Sequence, residues 1–174
     1  MTGVQTCALP ISDCTPLRDA SPRGDAVFVR PVDDLKAFAG GVMSRAEFLA
    51  WREATLAAIA RGALPRMQAD APVVLARPKR LHAEYRLRVV DGTIVGASSY
   101  RRGGVAHFSD QVDERVIAFG RARIAQWSPN RAFCLDVADT PDGLKVVEIN
   151  AINSSAFYAS DIARFVDAIE RLDT

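Results

Sequence analysis

Histidine is scarce. His82 and His107 are the only two in 174 residues. They stand far apart in the chain, which excludes a histidine-rich metal centre. Three cysteines, Cys7, Cys14 and Cys134, cannot build a disulfide framework, so a reducing compartment, the cytoplasm, is expected. Charge of one sign is also missing: 22 Lys and Arg balance 21 Asp and Glu, for a net charge of +1. That excludes attachment to nucleic acid by bulk positive charge and argues against nucleic acid as a partner. No apolar run approaches the roughly 20 residues of a membrane helix, so no membrane partner is expected. There is no internal repeat and no low-complexity tract. What remains is ordinary globular usage, 49% hydrophobic and 25% charged, enough for one domain or two small lobes.

Local patterns predict the elements. Residues 12–25 hold Pro16, Pro22 and Gly24 and read as a linker or loop. Ala26 to Arg30 is β-rich and ends at Pro31, so a strand. Val42-Met43 fits a short returning strand. Ser44 is an N-cap, and Glu47 completes a capping box for a helix from Arg45 to Arg61, ending at Gly62. Pro72 to Ala76 is a strand. Glu84 to Val90 and Thr93 to Tyr100 form a hairpin, because Asp91-Gly92 suits a type I′ turn. Glu114 to Ser128 is amphipathic and helical. Ala132 to Ala138 and Leu144 to Asn150 make a second hairpin about Asp142-Gly143, and Ser160 to Leu172 is a closing helix. The pattern predicts an α+β fold of mainly antiparallel sheets with packed helices. Trp51 and Trp127 read as core, and both histidines as loop residues.

Met1 to Ile11 carries no charge and shows neither strand nor helix periodicity. It lacks the basic start and continuous apolar core of a signal peptide. It resembles a sequencing-library adapter translated in frame, so it is expected to be non-native and to pack against nothing. On that reading the chain is the C-terminal piece of a longer protein.

Chemistry concentrates in Cys134-Leu-Asp136 and Glu148-Ile-Asn150. Side chains on a strand alternate faces, so Glu148 and Asn150 point the same way. A hairpin closing near Asp142-Gly143 can bring Asp136 beside them. Two carboxylates and an amide oxygen are hard ligands suited to Mg²⁺, which commonly bridges to nucleotide phosphates. Exposed strand acids are the plainer alternative, but apolar residues flank both segments.

Three segments in order resemble the ATP-grasp superfamily: VFVRP, PVVLARPKRLHAEYRLRVVDGTIVG, and VVEINAINSS preceded by FCLDVADTPDG. The resemblance runs from Ala26 to Thr174. Within the superfamily the chain is similar to a clade in which arginine replaces the phosphate-binding lysine. The segments RPVDDLKAFAG, EYR and EINAINSSAFY carry that likeness. It implies an ATP-grasp-like fold in two lobes, truncated at the N-terminus, with residues 26–76 as the smaller lobe and 77–174 as the larger.

The resemblance also implies roles. Arg30 takes the phosphate-lysine position, and Lys36 approaches phosphate from the loop that Gly40-Gly41 would let fold over nucleotide. Val74, Leu75 and Ala76 form the adenine hinge, and Glu84 binds ribose. Arg86 and Arg101 are the candidate catalytic groups, contacting phosphoryl or substrate carboxylate; the plainer alternative for Arg86 is an exposed strand arginine paired with Glu84. Asp136, Glu148 and Asn150 are the Mg²⁺ ligands, and Asn153 and Ser154 lie where substrate is met. Cys134 departs from the pattern, since many members carry arginine two residues before the acid. The implied activity is an ATP-dependent carboxylate–amine ligase. It would use ATP and Mg²⁺, pass through an acyl phosphate, and join a small-molecule or peptide carboxylate to an amine. The alternative class is a non-catalytic nucleotide-binding or interaction module that retains the fold.

Overall fold

The computed structural model describes residues 7–10, 26–32 and 37–172. The chain divides into two compact units, Met1–Pro78 and Lys79–Thr174. Among the described residues no helix is long and apolar enough to cross a membrane.

The first unit is a four-stranded antiparallel sheet in the order β1-β4-β2-β3 backed by one helix. Its strands are β1 (Cys7–Pro10), β2 (Ala26–Pro31), β3 (Gly41–Ser44) and β4 (Pro72–Ala76), and α1 spans Arg45–Ala60. The capping box forms as the sequence predicts: the Ser44 amide donates to Glu47 Oε2 at 2.7 Å, and the Glu47 amide donates to Ser44 Oγ at 3.2 Å. That removes two of the orphan donors at the helix start. Val29, Phe48, Met67, Val73 and Leu75 form the core, and Trp51 packs its ring between Phe38 and Phe48.

β1 corrects one expectation. Cys7–Pro10 pairs with β4, Cys7 opposite Leu75 and Pro10 opposite Pro72. Part of the segment expected to pack against nothing is therefore a sheet edge strand, and the structural ground for setting it aside is gone. The remainder of residues 1–11, and the 12–25 linker, lie outside the described residues.

The second unit is a five-stranded antiparallel sheet, β7-β6-β5-β8-β9. The strands are β5 (Ala83–Val90), β6 (Thr93–Arg102), β7 (Val105–Ser109), β8 (Ala132–Thr140) and β9 (Gly143–Asn150). Helices α2 (Glu114–Gln126) and α3 (Ile162–Glu170) complete it. Asp91 and Gly92 both have positive φ, 46° and 72°, as the type I′ turn requires. β7 has no counterpart in the sequence reading, and it carries His107, which is thus a strand residue. Trp127 is 62% exposed at the end of α2 and is not core.

β5 occupies the centre of this sheet, and all eight of its residues are buried. Tyr85, Leu87 and Val89 join Val116, Leu135 and Val137 in the main core. Gly120 lets α2 lie close on this face: a Cβ there would come within 2.3 Å of Leu87 Cδ1. The strand period turns Glu84, Arg86 and Arg88 to the opposite face.

Candidate active site

Two short clusters stand side by side on the charged face of β5. In the first, Glu84 is 7% exposed. It accepts from the Tyr100 hydroxyl at 3.1 Å and from Arg101 Nη1 at 3.3 Å. Burial first, then the nearby charges of Asp136 and Glu84, hold the Tyr100 hydroxyl protonated above the ordinary phenol range. It therefore remains a donor.

In the second, Arg86 grips Asp136 with two bonds, Nε to Oδ1 at 2.8 Å and Nη2 to Oδ2 at 2.7 Å. Both residues are buried, and they are register partners across β5 and β8. The plainer alternative for Arg86, an exposed partner of Glu84, is overturned, because antiparallel pairing puts it opposite Asp136 instead. The bond to Asp136 raises the proton affinity of Arg86, so it is a permanent cation. Its guanidinium also lies 5.3 Å from the Tyr158 ring centre and 5.8 Å from that of Tyr100.

Glu148 reaches Asp136 through a β-bulge. Thr140 faces Gly143 and Val137 faces Val146, yet Asp136 faces Glu148. Val147 is the extra residue. Continued without the bulge, that register would set Val147 against Asp136 and turn Glu148 to the other side. Asn150 Nδ2 donates to Glu148 Oε1 at 2.8 Å. The amide nitrogen makes that bond, so its carbonyl oxygen is not the engaged atom. Asp136 is held above the usual carboxylate range, chiefly by burial, then by Glu148, against the opposing pull of Arg86.

The structure thus brings Asp136, Glu148 and Asn150 together on one hairpin. Among the described residues no group of three or more His, Cys, Asp or Glu side chains gathers as a metal centre. The donor set still fits a hard cation. Two acids face each other, and the burial and repulsion that raise Asp136 are what a divalent ion would offset.

In the first unit, Arg30 lies opposite Val74 in register, with Leu75 and Ala76 next along β4. Arg30 is exposed, its Nη1 donating to the Pro31 carbonyl at 2.9 Å. Gly41 is not part of a covering loop: it opens β3 opposite Val29. A Cβ on Gly40 would sit 2.9 Å from Arg30 Cβ, so glycine is required there for close approach. Lys36 lies outside the described residues. Asn153 falls in a single 3₁₀ turn, Ile152–Ser154, directly after β9.

Sequence reasoning missed Arg88, Tyr100 and Tyr158. Arg88 was detectable, since it is two residues beyond Arg86 on the same strand face. Nothing local marks Tyr158, whose stack with Tyr100 joins residues distant in sequence.

Solved structures place this fold among ATP-grasp ligases. D-alanine–D-alanine ligase from Bacillus anthracis superposes with a TM-score of 0.64 at 13% identity, over 96% of this chain and 57% of the ligase. The D-cycloserine synthetase DcsG gives 0.57 at 19% identity, over 97% of this chain and 65% of that one. The ATP-grasp ligase PsnB, solved with precursor peptide PsnA2 and AMPPNP, gives 0.59 at 18%, over 98% of this chain and 52% of PsnB. The chain therefore spans between about half and two thirds of the length of these ligases. Residues 4–169 match an ATP-grasp domain family, family 3 of the clade named for arginine in place of lysine, and the chain belongs to that family. No curated protein matches it.

Proposed function

We propose that the chain is the nucleotide- and metal-binding part of an ATP-dependent carboxylate–amine ligase. The observation that carries this reading is the Arg86–Asp136–Glu148–Asn150 arrangement within a chain of ATP-grasp family membership. Arg30 and Lys36 would meet phosphate, Val74, Leu75 and Ala76 would meet adenine, and Glu84 would accept from ribose hydroxyls. Asp136, Glu148 and Asn150 would hold Mg²⁺. When bound, that ion supplies charge neutralisation at the phosphate oxygens.

This chain's own residues do the rest. Two Arg86 donors are committed to Asp136, and Nη1 remains to face phosphoryl or carboxylate oxygen. Arg101, half exposed and linked to Glu84 at 3.3 Å, can swing to substrate at small cost, because an exposed ion pair contributes little. A substrate carboxylate oxygen would attack the γ-phosphorus of ATP, with ADP leaving. The resulting acyl phosphate would react with an amine to give an amide and inorganic phosphate. The substrates would be a small-molecule or peptide carboxylate and an amine, in a cytoplasmic setting that supplies ATP. A non-catalytic nucleotide-binding module is the competing reading, favoured by the commitment of both Asp136 oxygens to Arg86.

Calorimetric titration of Mg-ATP into this chain and its Glu148→Gln variant tests the site. ADP release is followed in parallel in a longer family member across carboxylate and amine panels. Removing one charged ligand should weaken binding by about tenfold or more. Unchanged affinity and unchanged turnover would remove Glu148 from the ligand set. Binding without ADP release on any panel would favour the module.

A further inference from the structure

Arg88 is wholly buried, the largest side chain among the described residues to be so. No carboxylate among them pairs with it. Its Nη2 donates to the carbonyls of Ala156 at 2.6 Å and Ser155 at 3.4 Å, and its Nη1 lies 3.5 Å from Cys134 Sγ. The guanidinium carbon sits 3.8 Å from the Phe157 ring centre and 5.2 Å from that of Phe165. Its Nε has no partner among the described residues, nor have the buried hydroxyls of Ser98 and Ser160. Burial accordingly pushes the proton affinity of Arg88 down. A buried cation with an orphaned N–H is a cost to folding that a hydrophobic side chain of similar volume would avoid. Stability alone does not account for arginine here.

Its contacts do. Ser155, Ala156 and Phe157 are consecutive residues of the segment joining β9 to α3, and Arg88 holds all three from the central strand. The next residue, Tyr158, has φ of 53°, a strained conformation for a bulky side chain. It is stacked between Tyr100 at 5.0 Å and Phe108 at 5.4 Å, and it lies over Arg86. We propose that Arg88 is a positioning residue: it latches the 155–157 segment to β5 and so sets Tyr158 over the Arg86–Asp136 pair. The part this latch plays in catalysis rests on the functional reading above; the latch itself does not.

Hydrogen exchange on the chain, its Arg88→Met variant and its Arg88→Lys variant tests this, with near-ultraviolet circular dichroism reporting the tyrosine stack. In Arg88→Met, amides of residues 156–160 should exchange about tenfold faster, the change expected from losing one charged hydrogen bond. The tyrosine band should shrink while β5 and β8 keep their protection and melting temperature holds or rises. Arg88→Lys, which keeps the charge but not the fork, should fall between, and it carries the test if the methionine variant does not fold. Unchanged exchange at 156–160, or loss of protection spread evenly over the sheet, would overturn the proposal. Titration of Mg-AMPPNP into the unaltered chain separates the two ideas. No binding there overturns the functional reading, while the exchange data still decide the latch.

Discussion

Arg86 carries five donors in a rigid planar fork, and two of them meet both oxygens of a buried carboxylate. Lysine could not reproduce that geometry. Taking Arg86 away leaves Asp136 charged, buried and facing Glu148. Arg86→Met should therefore destabilise the chain by about 3–5 kcal/mol at neutral pH, the usual consequence of breaking a buried pair. The penalty should depend on pH in a defined direction. Asp136 already sits above the ordinary carboxylate range in the folded protein, and loss of the guanidinium moves it further up. A folded-state value raised above the unfolded one favours the fold in acid and costs stability as pH rises through it. Urea unfolding at a series of pH values should show the variant closest to the parent at the acid end. A pH-independent difference would mean that Asp136 is not the group left stranded.

At the scale of elements, the helix-to-sheet distance is set by a residue without a side chain. Gly120 lies within α2 and is buried, and an added Cβ would fall 2.3 Å from Leu87 Cδ1 and 3.2 Å from Ile94 Cδ1. Leu87 is itself fully buried, so it has little room to retreat. Gly120→Ala gains about 1 kcal/mol in helix propensity, and overpacking costs about 1–3 kcal/mol. The net expectation is a loss of about 1–2 kcal/mol in chemical denaturation. A gain in stability would show that α2 can move outward without disturbing the core. The same element logic explains the metal hairpin. The bulge at Val147 does for β9 what no change of side chain could, turning Glu148 to the face of Asp136.

At the scale of the whole molecule, the two units have separate cores. The first is small, and β1 supplies one edge of its sheet by pairing with β4. Removing residues 1–11 would uncover the β4 backbone and leave a new sheet edge. The truncated chain should lose protection in hydrogen exchange at Val73 to Leu75, with β5 and β8 unaffected. Retained protection in β4 would show that the β1 pairing contributes nothing to this sheet.

Much of this was determined by the amino-acid sequence alone. Ser44 with Glu47, the Asp91-Gly92 turn, and the strand periods of β5, β8 and β9 follow from local physics, and local physics does not wait for tertiary contacts. The order of the ATP-grasp segments was equally legible. Three things were decided only by the tertiary structure. Alternation in Glu84-Tyr-Arg-Leu-Arg88 reads as one charged and one apolar face, yet both are buried. Strand order puts β5 at the centre, and on the charged face the 155–158 segment supplies the contacts to Arg86 and Arg88. A turn at Asp142-Gly143 alone sets Val147 opposite Asp136, and only the bulge, a long-range compromise of register, substitutes Glu148. The pairing of Arg86 with Asp136 and of Arg88 with Cys134 joins residues 50 and 46 positions apart. Pattern within a strand determines which face a side chain takes, but not which strand lies beside it.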